Sequence, residues 1–370
     1  MKSPLNLKNT LAKNYINAVG WRTKKKLVLI ESDDWGAVRM PSRETYEKLR
    51  VAGAGDGCFF DKFDSLESSK DLELLFEVLS SVKDHKGQYA IMQPFTVVAN
   101  PNYEAIEANQ FLKYEYEPFT DTYKRYTHTE HTFETVKEGV QAGIWHPQSH
   151  GREHIQVNRW MKALQSKDKL VQLEFSARAF HCGCTPPKLD YYNAFDYDSK
   201  EELPQLKEML RDGLKLFEQL YGYRAVSLCS PCGYTSREFQ TFSSTEGIRL
   251  RGGQFHAPNG DGSYRVINDF WGRKDANGML VYRRNCKFEP SKDHNIDWVD
   301  RCLSEIKIAF RWGKPAVIDT HRVNYIGRLY EENRDYSLKE LKRLLVEIIK
   351  HWPDVEFVTS EQMYNEMQKA

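Results

Sequence analysis

Lys26-Leu27-Val28-Leu29-Ile30-Glu31-Ser32-Asp33-Asp34-Trp35-Gly36 is an aliphatic run that ends on two adjacent carboxylates and a glycine. The same design recurs three times downstream. Ala142–His146 runs into Pro147-Gln148-Ser149-His150-Gly151-Arg152-Glu153-His154, Ala225–Ser230 into Pro231-Cys232-Gly233-Tyr234, and Ala316–Asp319 into Thr320-His321-Arg322. Four apolar strands therefore each deliver polar groups just past their C-terminal ends. In a parallel barrel those ends share one face, and that face carries the active site.

Around this stretch, short apolar runs alternate with helical periodicity, which is the α/β pattern. The first strand is predicted over Lys26–Ser32, with further strands at Gln88–Val98, Val171–Ser176, Ile248–Gly252 and Val355–Val358. Helices are predicted at Arg43–Val51, Ser69–Val82, His131–Gln141, Ile155–Gln165, Leu203–Tyr221, Ile296–Trp312, Ser337–His351 and Ser360–Gln368. Long irregular stretches near 101–130, 177–200 and 256–295 read as insertions. The third holds Gly260-Asp261-Gly262 and Ala276-Asn277-Gly278, which predict hairpin turns. No Pro/Gly/Ser-rich linker divides the chain, so one catalytic domain over 26–370 is expected behind a basic helical segment over 1–25.

Adjacent carboxylates on an extended strand point to opposite faces, so Asp33 and Asp34 can share a site only if the chain turns there. The structural alternative is an Asx turn or a helix cap. His150 and His154 are four apart, with Gly151 permitting a sharp turn between them. Two imidazoles and one carboxylate make a three-ligand open site, the arrangement of catalytic zinc. His146 also lies four residues before His150, so His146/His150 is the alternative pair. Cys182-x-Cys184 and Cys229-x2-Cys232 are candidates for a second, structural zinc site or for plain buried thiols.

Asp33-Asp34, His150-x3-His154, Pro231-Cys232-Gly233-Tyr234 and Thr320-His321 stand in the order of the polysaccharide deacetylase family, the NodB-like metal-dependent carbohydrate esterases. Over roughly residues 26–360 the chain resembles a divergent member of that family. The resemblance implies a distorted (β/α)7 barrel holding one divalent metal, most often zinc, on Asp34, His150 and His154. It implies Asp33 as catalytic base, His321 as catalytic acid and a backbone N–H at Tyr234 for the oxyanion. The activity implied is removal of N-acetyl, or O-acetyl, groups from a sugar in a glycan or glycan precursor. Departures are visible: Glu31-Ser32 replaces the usual Thr-Phe, Trp35 precedes the glycine, and Gly151 replaces a Ser or Thr. The family's base-orienting Arg is missing from Cys229-Ser230-Pro231-Cys232, which leaves Arg249, Arg251 or Arg322 to take its place from another strand. A glycoside hydrolase pairing Asp33 with Glu153 or Asp319 is one alternative function. A non-catalytic glycan-binding relative is the other.

Composition narrows the field further. The 370 residues carry 53 Lys plus Arg and 52 Asp plus Glu, a formal net charge of +1. A nucleic-acid ligand needs a basic surplus that this chain lacks. The longest aliphatic run, Leu27–Ile30, is far short of the roughly 20 residues that span a bilayer. Seven cysteines and no secretory pattern at the N-terminus lead to the expectation of a reducing cytoplasm. The near-neutral total conceals an uneven distribution. The first thirty residues hold Lys2, Lys8, Lys13, Arg22, Lys24, Lys25 and Lys26 and no acid, while Leu7, Leu11, Tyr15 and Val19 recur every four residues. This segment reads either as a helix docked on the body of the protein or as a basic amphipathic helix in peripheral contact with an anionic membrane.

Overall fold

The computed structural model describes residues 7–55, 57–180 and 191–369. Cys182, Cys184 and the neighbouring His181 lie outside the described residues. In chain order the strands are β1 (Lys26–Trp35), β2 (Met92–Thr96), β3 (Ala99–Pro101), β4 (Tyr116–Pro118), β5 (Gln148–Ser149), β6 (Ser227–Leu228) and β7 (Leu250–Gly252). They continue as β8 (Gln254–Pro258), β9 (Tyr264–Asn268), β10 (Leu280–Tyr282), β11 (Cys286–Lys287), β12 (Ala316–His321) and β13 (Val355–Phe357).

β1 shows why the aliphatic run is unbroken. Leu27 and Leu29 pack inward with Leu250, Leu280 and Val317, whereas Val28 and Ile30 pack outward against Leu72, Leu75, Ile306 and Leu344 of the covering helices. A strand buried on both faces must be apolar at odd and even positions alike. From β1 the sheet proceeds through β2, β5, β6, β7 and β10, every pair parallel. On its other side β1 pairs with β12, and β12 with β11, again parallel. Only Arg283, Arg284 and Asn285 separate β10 from β11, so the two are one passage through the wall, paired first with β7 and then with β12. The staves β1, β2, β5, β6, β7, β10/β11 and β12 thus follow chain order, and the last returns to the first. This is a distorted (β/α)7 barrel. Val28 pairs with both Ala316 and Phe357, which places β13 on the β2 side of β1.

Helices fill every connection between staves except the one from β7 to β10. There the chain makes the β8–β9 hairpin around Gly260-Asp261-Gly262, as the turn residues predict. The N-terminal helix Leu7–Ala18 packs beside Trp298–Arg311, where Asn285 emerges from the barrel wall. Asn285 donates to Asn17 Oδ1 (2.8 Å), Lys13 donates to the Asn285 carbonyl (2.8 Å) and pairs with Glu305 (3.2 Å), and Trp312 donates to Asn14 (2.8 Å). The helix is therefore docked on the body, and it docks through its polar face. Polar partners waiting on the wall outcompete the stripe.

Three other expectations change. Val171–Ser176 belongs to a helix, Lys169–Ser176, capped by Asp168 Oδ1 on the N–H groups of Leu170 and Val171. Val171, Glu174 and Phe175 are buried at i, i+3 and i+4 while Leu173 is not, a helical spacing rather than a strand's. Ala142–His146 follows a helix C-terminus, and the strand is Gln148–Ser149. Residues 256–295, expected as an insertion, supply the β10/β11 stave.

Candidate metal centre and cleft

At the C-terminal ends of the staves, Asp33, Asp34, His150, His154 and His321 line one cavity of about 380 Å³. The problem of two adjacent carboxylates is solved by a bulge. Ser32 pairs with Pro94 and Trp35 with Thr96, so β1 spends one residue more than β2 over that step. Asp34 takes φ +79°, a left-handed conformation that Asp tolerates better than most residues, and both carboxylates reach the cavity. Gly36 follows at φ +78°, where a Cβ would stand 2.7 Å from the Val97 carbonyl. The motif glycine is thus sterically required. Gly151, at φ +96°, makes the turn between the two histidines and leaves 2.8 Å to Phe195 for a Cβ.

Asp34 Oδ1 lies 3.3 Å from His150 Nε2 and 3.0 Å from His154 Nε2, all three residues being buried. His150 Nδ1 lies 2.8 Å from the Cys229 carbonyl, which orients the ring and leaves Nε2, on the Asp34 side, as the atom that would meet an ion. Burial pushes His154 down to about 4 against the pull of Asp34, so its imidazole is neutral at physiological pH. Burial would raise Asp34, but Arg39 and His154 hold it well below the usual carboxylate range. Arg39 occupies the other carboxylate oxygen at 3.1 Å, which leaves Oδ1 for an ion. An ionised carboxylate and two imidazole nitrogens converging on one point fit a divalent metal, and the group could hold one.

His146, the alternative partner, is elsewhere. It precedes β5, stacks on Tyr223 at 5.3 Å and belongs to no metal-holding group among the described residues. Among the described residues no cysteine belongs to such a group either. Cys229 places its thiol 3.5 Å from Asp33, and Cys232 is exposed.

Asp33 is clamped by Arg284, which donates from both terminal nitrogens at 2.6 and 2.7 Å. Behind it, Glu31 accepts from Arg284 Nε (2.7 Å) and from the Tyr282 hydroxyl (2.7 Å). Burial raises Asp33, yet Arg284 outweighs it and holds the carboxyl at about 2. Burial likewise raises Glu31, to about 7. Arg284 corrects the expected orienting residues. Arg249 reaches the Ser244 carbonyl, Arg251 is held by Asp269, and Arg322 is buried on Asp64 and Glu67. The signal for Arg284 in the sequence was only its place four residues past an apolar Leu280, inside a stretch read as insertion.

His321 Nδ1 meets Glu289 Oε2 at 2.7 Å, and its Nε2 faces Asp33 at 4.0 Å. Burial lowers this imidazole, but Glu289 raises it further, to about 10. A pKa raised on folding stabilises the protein fully below the ordinary value of 6.5, and that stabilisation is lost as pH rises through about 10. Urea midpoints should therefore fall between pH 6.5 and about 10, and Glu289→Gln should flatten that slope. An unchanged slope would remove the ion pair from the account.

Tyr234, whose N–H the resemblance assigns to the oxyanion, closes a turn beside the cavity. Its N–H donates to the Pro231 carbonyl at 3.2 Å, and its ring stacks on His256, while its neighbours Gly233 and Thr235 line the cavity. Glu153 is engaged by Arg152 at 2.6 Å and does not line the cavity, so it is no partner for Asp33. Asp319 does line it, held by the same Arg284 at 3.0 Å.

No family model and no curated relative matches this sequence. Solved structures do. A probable polysaccharide deacetylase from Pseudomonas aeruginosa PAO1 is similar over 94% of this chain and 92% of its own, with 12% identity and a TM-score of 0.48. The Puue allantoinase is similar over 95% and 93%, at 12% identity and a TM-score of 0.43. The peptidoglycan deacetylase PdaC from Bacillus subtilis is similar over 93% and 92%, at 12% identity and a TM-score of 0.34.

Proposed function

We propose that this chain is a metal-dependent hydrolase that removes acetyl groups from the amino group of a sugar in a glycan or glycan precursor. The observation that carries the reading is the pairing of a buried Asp34–His150–His154 donor set with an Asp33 and a His321 of opposite protonation preference in one cavity. Asp34, His150 and His154 would hold a divalent ion, with zinc favoured by the nitrogen-rich set. Such an ion, when bound, acidifies water and polarises a carbonyl.

The remaining work falls to the chain's own residues. Asp33, ionised and fixed by Arg284, accepts the proton of the attacking water as its oxygen bonds to the acetyl carbon. His321 carries a proton at Nε2, its Nδ1–H being committed to Glu289. It gives that Nε2 proton to the amine nitrogen as the C–N bond breaks, so acetate and a free amine leave. General acid and base steps of this kind are each worth about 10²–10⁴ in rate. An ester substrate would follow the same route with an alcohol leaving.

The test is direct. Purified protein should take up about one equivalent of zinc per chain and release acetate from N-acetylated oligosaccharides. His154→Ala should abolish both. New reducing ends without acetate would instead favour a glycoside hydrolase. A protein that binds no divalent metal would overturn the proposal.

A further inference from the structure

A helix on a globular domain normally turns its apolar stripe inward. The helix Leu7–Ala18 does the reverse. Lys13, Asn14 and Asn17 face the barrel, while Leu11 and Tyr15 are 61% and 76% exposed, and Val19 just beyond the helix is 53% exposed. The apolar surface does not stop at the helix. Gly20 pairs with Trp271 in a parallel bridge, which sets Val19 beside Phe270, itself 51% exposed although Trp271 is wholly buried. Two segments 251 residues apart in the sequence thus present one outward apolar ridge.

The ridge has a sign. Residues 7–30 contain no acidic side chain. Lys13, Lys25 and Lys26 are neutralised by Glu305, Glu366 and Asp354. Lys8, Arg22 and Lys24 remain exposed, as does Lys274, four residues past Phe270. Apolar side chains beside cations that have no carboxylate partner are complementary to a surface with anionic headgroups over a hydrocarbon interior. Among the described residues no helix is long and apolar enough to cross a membrane, so contact of this type would be parallel to the surface.

We infer that the Leu11–Tyr15–Val19–Phe270 ridge seats this protein on an anionic lipid surface. The hairpin that ends beside Phe270 also lines the catalytic cavity: Asn268 of β9 pairs with Gln254 of β8, a cavity residue. A membrane held at this ridge would lie near the cavity's hairpin wall, which suits a lipid-linked glycan. Lipid binding itself does not depend on the proposed hydrolysis.

The experiment is vesicle cosedimentation of the full chain. Wild type should pellet with phosphatidylcholine vesicles containing phosphatidylglycerol, and salt should weaken the binding. Lys8→Gln with Lys24→Gln should weaken it by about fivefold per charge at low salt. The quadruple Ser variant at Leu11, Tyr15, Val19 and Phe270 should lose about tenfold or more. All these side chains are exposed, so thermal midpoint, zinc content and acetate release from a soluble substrate should stay at wild-type levels. That last readout separates failure of this inference from failure of the proposed reaction. Binding indifferent to phosphatidylglycerol, or unchanged in the Ser variant, would overturn the inference. So would elution as a dimer that the Ser variant converts to monomer, since the ridge would then be a self-interface.

Discussion

Asp33→Asn is expected to lower the rate of acetate release by about 10²–10⁴-fold while zinc content stays at the wild-type level. Asn keeps the shape of the side chain and one oxygen to accept from Arg284, its NH2 group being unable to accept the second bond, and its amide cannot take a proton from water at any useful pH. Arg284 retains Glu31 and Asp319 as counter-charges, so the barrel should remain folded. The metal donors are untouched, because Asp34 faces His150 and His154 from the far side of the bulge. Steady-state kinetics with metal analysis of the same preparation make the comparison. Near-wild-type turnover would assign the base elsewhere, and loss of zinc would mean that Asp33 supports the donor set.

Much of this site was legible because its parts are local. The bulge needs Asp-Asp-Trp-Gly in sequence, and His150 and His154 are separated by a single turn that Gly151 permits. What stayed hidden came from far away. Arg284 reaches Asp33 across 251 positions, and Glu289 reaches His321 across 32. Neither announces itself, since β10 and β11 are three and two residues long and Arg283-Arg284-Asn285 breaks the apolar run between them. Short staves in a distorted barrel carry too little hydrophobic signal to separate from loop. The N-terminal helix teaches a different lesson. Its periodicity identified the stripe correctly, but periodicity says only that two faces differ. Which one docks depends on partners such as Asn285 and Glu305 that no local reading can supply.

Arg284→Met should produce the largest loss of stability, about 3–5 kcal/mol at neutral pH, because it strands two buried carboxylates at once. Glu31 and Asp33 both sit inside the barrel, and burial alone drives each upward; Arg284 is what holds Asp33 at about 2. The sign of the pH dependence then reverses. In the wild type the depressed Asp33 contributes stability above its ordinary 3.8, lost as pH falls toward about 2. Without Arg284 the folded value lies above the ordinary one, so acidification from neutrality should neutralise the stranded carboxylates and recover stability. Urea midpoints across that range distinguish the two: the wild type should rise only by the contribution of Glu31, raised to about 7, and the variant should rise more steeply as Asp33 joins it. The acid limb of kcat/KM should move upward in parallel, since Asp33 would need a higher pH to ionise. Arg284→Lys keeps the charge but not the two-pronged clamp. It should restore most of the stability and less of the rate, whereas equal recovery of both would reduce the arginine's role to charge alone.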